Sequence, residues 1–120
     1  MLTPDELREY AAGWKERERE KELRKESLRG QAMVKARLIA VMLREKYSVE
    51  RVILFGSLAE GSIRGGSDID LAVTGADMER YIDMYWDASE LARPFPLDLV
   101  PLETASPALR NNIQGSGVEL

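Results

Sequence analysis

The run Val52-Ile53-Leu54-Phe55 is β-branched and aromatic and has no polar face, so it reads as a central strand of a sheet. Gly56-Ser57 ends it. A second strand, Asp68 to Val73, alternates strictly, with Asp68, Asp70 and Ala72 on one face and Ile69, Leu71 and Val73 on the other. A third, Leu97-Asp98-Leu99-Val100, lies between two prolines. Between the second and third, Gly75 or Asp77 opens an amphipathic helix that Pro94 stops. Met78, Tyr81, Ile82, Tyr85, Trp86, Ala88 and Leu91 are expected mostly on its buried side. Ser106-Pro107 caps a last helix through Ile113, closed by Gly115, and Val118 to Leu120 reads as a short terminal strand. The element order predicts an α/β (α+β) fold, a small mixed β-sheet with helices packed on one face.

The chain opens with a different pattern. Thr3-Pro4-Asp5-Glu6 has the hydroxyl, proline and glutamate of a capping box. Leu7, Tyr10, Ala11 and Trp14 follow at helical spacing, and then Lys15 to Glu22, KEREREKE, has no apolar residue at all. Opposite charges there meet at i,i+3, the pattern of a solvated helix. Apolar periodicity returns at Leu28, Ala32, Ala36, Ile39, Met42 and Leu43. An unbroken helix from Pro4 to Lys46 would span about 64 Å, wider than a small domain, and Gly30 is the natural place for a bend or break. Residues 1–30 therefore read as a charged helical arm and 31–120 as the folded domain. The Tyr10–Trp14 end, held out from the body, points to a contact with another protein or a second copy, in a homo- or hetero-oligomer.

Composition removes several chemistries. The 120 residues hold no cysteine and no histidine, which excludes disulfides, thiolate zinc sites, cysteine nucleophiles and Ser-His-Asp catalysis. Any metal must sit on oxygen ligands, which favours a hard cation such as Mg²⁺. The net charge of −4 arises wholly within residues 31–120, because the first 30 residues balance eight acids with eight bases. An acidic body argues against stable DNA binding. No apolar run reaches membrane-spanning length, and MLTPDELREY lacks the regions of a signal peptide, so the expected location is cytoplasmic.

The candidate chemistry lies between Gly56 and Asp98. Residues i and i+2 of a strand point the same way about 6.5–7 Å apart, so Asp68 and Asp70 can converge on a pair of divalent ions. Asp98 interrupts an apolar strand in the same manner. If that strand lies beside the second, all three carboxylates face one point. Unneutralised, they would repel and raise one another's pKa. Gly56-Ser57, leaving a strand for a helical turn, presents backbone N–H groups and a hydroxyl to an anion. Taken singly, the features have plainer readings: a turn, a solvated strand residue, an exposed edge. The loop GSIRGG lacks the Lys-Ser/Thr of a phosphate-binding P-loop, and no strand lysine follows as in a protein kinase.

Gly56-Ser57, ten residues, then Asp68-Ile69-Asp70 resembles the GS-x10-D-x-D signature of the DNA polymerase β nucleotidyltransferase superfamily. FGSLAEGSIRGGSDIDLAV is similar to the minimal nucleotidyltransferases, the MNT antitoxins of MNT–HEPN toxin–antitoxin pairs, over roughly residues 32–120. The resemblance implies a nucleotidyltransferase fold that binds ATP as substrate with two Mg²⁺ ions. Gly56 and Ser57, with Ser67 and Arg64, would hold the nucleotide. Asp68, Asp70 and Asp98 would bind metal, and Asp98 would serve the acceptor hydroxyl as base. It also implies transfer of AMP to a tyrosine of a HEPN-type toxin. Where many relatives have an arginine after the Gly-Ser pair, this chain has Leu58. Arg64 then either meets phosphate charge or is a solvated loop residue. Two other readings stand beside this one: an antitoxin that acts by binding alone, and an aminoglycoside-type small-molecule nucleotidyltransferase. Tyr81, Tyr85 and Trp86 read as core residues rather than base-stacking ones.

Overall fold

The computed structural model describes residues 1–61 and 68–120. One helix, α1 (Pro4–Tyr47), opens the chain and runs without interruption through Gly30. The capping box forms as expected: the Glu6 N–H donates to Thr3 Oγ1 at 3.2 Å, and the Thr3 N–H donates to Glu6 Oε2 at 3.3 Å. Gly30 does not break the helix. Nothing lies within 4 Å of where its side chain would be, and one glycine costs a long helix only about 1 kcal/mol. The molecule is accordingly elongated, 68 × 29 × 19 Å, with α1 along its length. The first buried residue of α1 is Ala32. The helix before Arg29 overhangs the body, and Arg29 itself reaches the carbonyls of Leu58 and Gly61.

After α1 come β1 (Arg51–Phe55), a short helical turn α2 (Gly56–Glu60), β2 (Ile69–Thr74), α3 (Tyr81–Ala92), β3 (Leu97–Pro101), α4 (Pro107–Ser116) and β4 (Val118–Glu119). The sheet order is β3-β2-β1-β4. β1 is antiparallel to both its neighbours, and β2 and β3 are parallel. A parallel pair needs a crossover, which α3 supplies. The apolar residues predicted for β1 are buried from Val52 to Phe55. Ile69, Leu71 and Val73 are fully buried on one face of β2, as the alternation predicts.

The main core lies on that face. Ala32, Ala36, Ile39 and Leu43 of α1 and Met84, Ala88 and Ala92 of α3 meet Val52, Leu54 and the apolar side of β2. Small residues on both helices let them approach closely. Lys46 donates to Asp87 Oδ2 at 2.6 Å and the Tyr47 hydroxyl donates to the same oxygen, tying the end of α1 to α3. These two bonds hold the Asp87 carboxyl below its ordinary pKa. A smaller cluster on the opposite face joins Ile53, Phe55 and Ala72 to Leu102 and to Ile113 of α4. α4 runs past Gly115 and stops at Gly117, where a Cβ would meet the Ile113 carbonyl oxygen at 2.3 Å.

The face expected for α3 requires correction. Met84, Ala88 and Ala92 are its buried residues, whereas Met78, Ile82, Tyr85, Trp86 and Leu91 are exposed. A separate 3₁₀ turn at Met78–Arg80 precedes α3, and of the expected residues Ala88 lies in the packed stripe, which Met84 and Ala92 complete. Among the described residues no helix is long and apolar enough to cross a membrane.

Candidate functional site

The strand register brings the predicted residues together. Phe55 pairs with Asp70 across β1 and β2, and Asp70 pairs with Asp98 across β2 and β3. Asp70 thus stands in the middle of a row, with the end of β1 on one side and Asp98 on the other. Gly56 follows directly, at φ +74°, in the left-handed region that favours glycine. A Cβ at Gly56 would lie 2.3 Å from Asp70 Oδ2, so the carboxylate rests against the bare glycine backbone. The Gly-Ser turn and the Asp-x-Asp strand are therefore one packed unit.

Asp70 is half-buried, whereas Asp68 and Asp98 are exposed. The carboxyl of Asp70 is held above its ordinary pKa, first by burial and then by the charges of Asp98 and Asp68. Among the described residues no Lys or Arg pairs with any of the three within 4 Å. Nor are three acidic side chains there gathered closely enough to enclose an ion. Asp70 feels the charges of Asp98 and Asp68, and the three form no closed chelate among the described residues.

Gly56 and Ser57 open α2, whose first turn has no side-chain cap. Its far end is fastened by Arg29 of α1, which donates to the carbonyls of Gly61 at 3.0 Å and Leu58 at 3.5 Å. Leu58 is only 3% exposed and belongs to the main core. Its apolar side chain serves packing. Arg64 and Ser67 lie outside the described residues.

Two residues have a role that the sequence did not reveal. The Tyr81 hydroxyl donates to the Leu99 carbonyl at 2.6 Å, and the Tyr85 hydroxyl donates to the Leu97 carbonyl at 3.3 Å. They bracket Asp98 from α3 and fix the edge strand that carries it. Burial, followed by the charge of Asp98, raises the Tyr81 pKa. Tyr81 packs partly on the core, as expected, but Trp86 is 67% exposed and is not a core residue. Spacing alone could not show which carbonyls these hydroxyls reach.

Clustered carboxylate oxygens beside a glycine turn at a strand end suit a hard cation and a phosphate chain. The chain belongs to the polymerase beta nucleotidyltransferase family, whose pattern matches residues 38–120. Within that family its structural likeness is to the MNT antitoxins of MNT–HEPN toxin–antitoxin pairs. A toxin–antitoxin structure with AMP-PNP is 28% identical, covering 70% of this chain and 70% of that one, with a TM-score of 0.58. A variant of the toxin–antitoxin pair MntA–HpeT is 25% identical over 70% of each chain, with a TM-score of 0.57. The complex of a tri-AMPylated Shewanella oneidensis HEPN toxin with its MNT antitoxin is 25% identical, covering 73% of this chain and 70% of that one, at a TM-score of 0.56. No curated protein matches the sequence.

Proposed function

We propose that this chain is a Mg²⁺-dependent adenylyltransferase that moves AMP from ATP to a hydroxyl, that of a tyrosine, on a HEPN-type toxin, and so acts as its antitoxin. The observation that carries the reading is the row formed by Gly56, Asp70 and Asp98, set side by side by strand register. The AMP-PNP and AMPylated complexes of its structural neighbours support the nucleotide and the acceptor.

The donor set fits the metal. Asp68, Asp70 and Asp98 offer only hard oxygen atoms, and Asp70 is half-buried beside the other two with no Lys or Arg paired to it among the described residues. These three would hold two Mg²⁺ ions, which when bound neutralise phosphate charge and acidify the acceptor hydroxyl. Gly56 and Ser57 take the β- and γ-phosphates against their backbone. Asp98 accepts the proton from the acceptor hydroxyl. The hydroxyl oxygen bonds to the α-phosphorus as the bond to pyrophosphate breaks. With no histidine in the chain, a carboxylate is the remaining base near the site. Tyr81 and Tyr85 hold Asp98 in place for that step.

A second reading, neutralisation by binding alone, is favoured by one feature: the core position of Leu58 removes a cation from the phosphate turn. Co-expression of the toxin with Asp68→Asn separates the two. The transferase reading expects toxicity to return while the two proteins still co-purify. Full protection by Asp68→Asn would instead leave the binding reading.

A further inference from the structure

We propose that the overhanging halves of α1 from two copies of this chain pair antiparallel about a two-fold axis between Arg17 and Glu18. Leu7, Trp14, Lys21 and Leu28 recur every seven residues, and the same row continues into Ala32, Ala36, Ile39 and Leu43. Leu7, Tyr10, Trp14 and Leu28 therefore share the face that α1 turns to its own body, while Leu23 stands on the opposite side. Leu7, Tyr10, Trp14 and Leu28 are all exposed, at 51%, 66%, 55% and 43%. Something of matching character is needed to cover them.

Charge identifies the occupant. From Lys15 to Glu22 every base has an odd number and every acid an even one. Read backwards, Lys15 to Glu20 is its own complement. An antiparallel copy centred between Arg17 and Glu18 sets Lys15 level with Glu20, Glu16 with Arg19 and Arg17 with Glu18. A parallel copy in register would oppose each charge with itself. Within one helix these charges are little used, since the one ion pair from Lys15 to Glu22 is Lys21–Glu18 at 3.9 Å.

The same register suits the apolar ends. Leu7 comes level with Leu28 of the second copy, while Trp14 and Tyr10 come level with Lys21 and Lys25, whose ammonium groups favour aromatic faces. Ala32, where the second body begins, comes level with Thr3, the helix cap, so the arm ends where the other body starts. This is the self-complementary contact a two-fold dimer requires. It also sets the first turn of each arm level with Arg29 of the other copy, which fastens α2.

Sedimentation velocity on the full chain, with orientation read by cross-linking, tests this independently of any catalysis. The wild type should run at twice its 13.5 kDa mass at concentrations of about 100 μM and below. An acidic arm (Lys15→Glu, Arg17→Glu, Arg19→Glu, Lys21→Glu) and a basic arm (Glu16→Lys, Glu18→Lys, Glu20→Lys, Glu22→Lys) should each be monomeric alone and form a one-to-one dimer when mixed. Because the chain has no cysteine, Leu7→Cys mixed with Leu28→Cys should give an oxidised cross-link that Leu7→Cys alone does not. A monomeric wild type, a dimer indifferent to both charge variants, or a cross-link formed by Leu7→Cys alone would each overturn the proposal. The first of these would leave the arm to a different protein partner.

Discussion

Asp70→Asn should abolish nucleotidyl transfer and make the metal-free protein more stable. Asp70 is ionised against burial and against two neighbouring carboxylates. Removing the charge relieves all three effects while nearly keeping the shape. We expect Tm to rise by roughly 2–5 °C at neutral pH, as transfer falls by at least roughly a hundredfold. The pH dependence has a definite sign. The folded pKa of Asp70 lies above the unfolded value, so folding favours the protonated form. Ionised Asp70 therefore lowers stability progressively as pH rises through the folded pKa. The difference between wild type and variant should be full above the folded pKa and vanish below about pH 4, the ordinary carboxylate range. Millimolar Mg²⁺ should raise the Tm of the wild type and leave that of Asp70→Asn nearly unchanged. Thermal melts at several pH values, with and without the ion, check each part. Equal Mg²⁺ stabilisation of both proteins would contradict the assignment of Asp70 to metal.

Gly56→Ala is the second large effect. The substitution places a methyl group 2.3 Å from Asp70 Oδ2 at a backbone angle of +74°. The left-handed conformation alone costs an alanine about 1–2 kcal/mol, and the carboxylate must also move. We expect a Tm drop of roughly 4–8 °C and loss of transfer comparable to that of Asp70→Asn. Gly30→Ala is the control. That glycine sits in the interior of α1 with nothing within 4 Å, so alanine there should stabilise the fold by about 0.5–1 kcal/mol and leave transfer unchanged. A Gly56→Ala protein with full activity would show that the carboxylate need not rest against the glycine.

These two residues show what could be read from the sequence. The alternation of Asp68 to Val73 carries its own geometry, because a strand has period two and an error of one residue would bury both aspartates. Val52 to Phe55 was equally plain, since only a covered strand accepts four apolar residues in a row. That Asp98 stands beside Asp70 depends on a parallel register made through α3, a contact between distant parts of the chain. Spacing within one segment cannot encode it. On α3 the spacing places Ala88 on the core side but passes over Met84 and Ala92, which complete it, while Ile82 and Trp86 face outward. Large residues mark a buried face only where the partner helix leaves room for them. α1 likewise hides small residues, Ala32, Ala36 and Ala40. The hydrogen bonds from Tyr81 and Tyr85 to the carbonyls flanking Asp98 are contacts between α3 and β3 that spacing within α3 does not show. Gly30 misled in the opposite direction: a weak local preference yields to the long run of good helix formers on either side.

The central claim is that Asp68, Asp70 and Asp98 support transfer of AMP to a protein. The most direct test is intact-mass analysis of a HEPN-type toxin, the proposed partner, after incubation with the full chain, ATP and Mg²⁺, beside a reaction containing Asp68→Asn. The account predicts toxin heavier by one or more AMP units in the first reaction and unmodified toxin in the second. Toxin left unmodified by the wild type, yet bound and inactive, would contradict it.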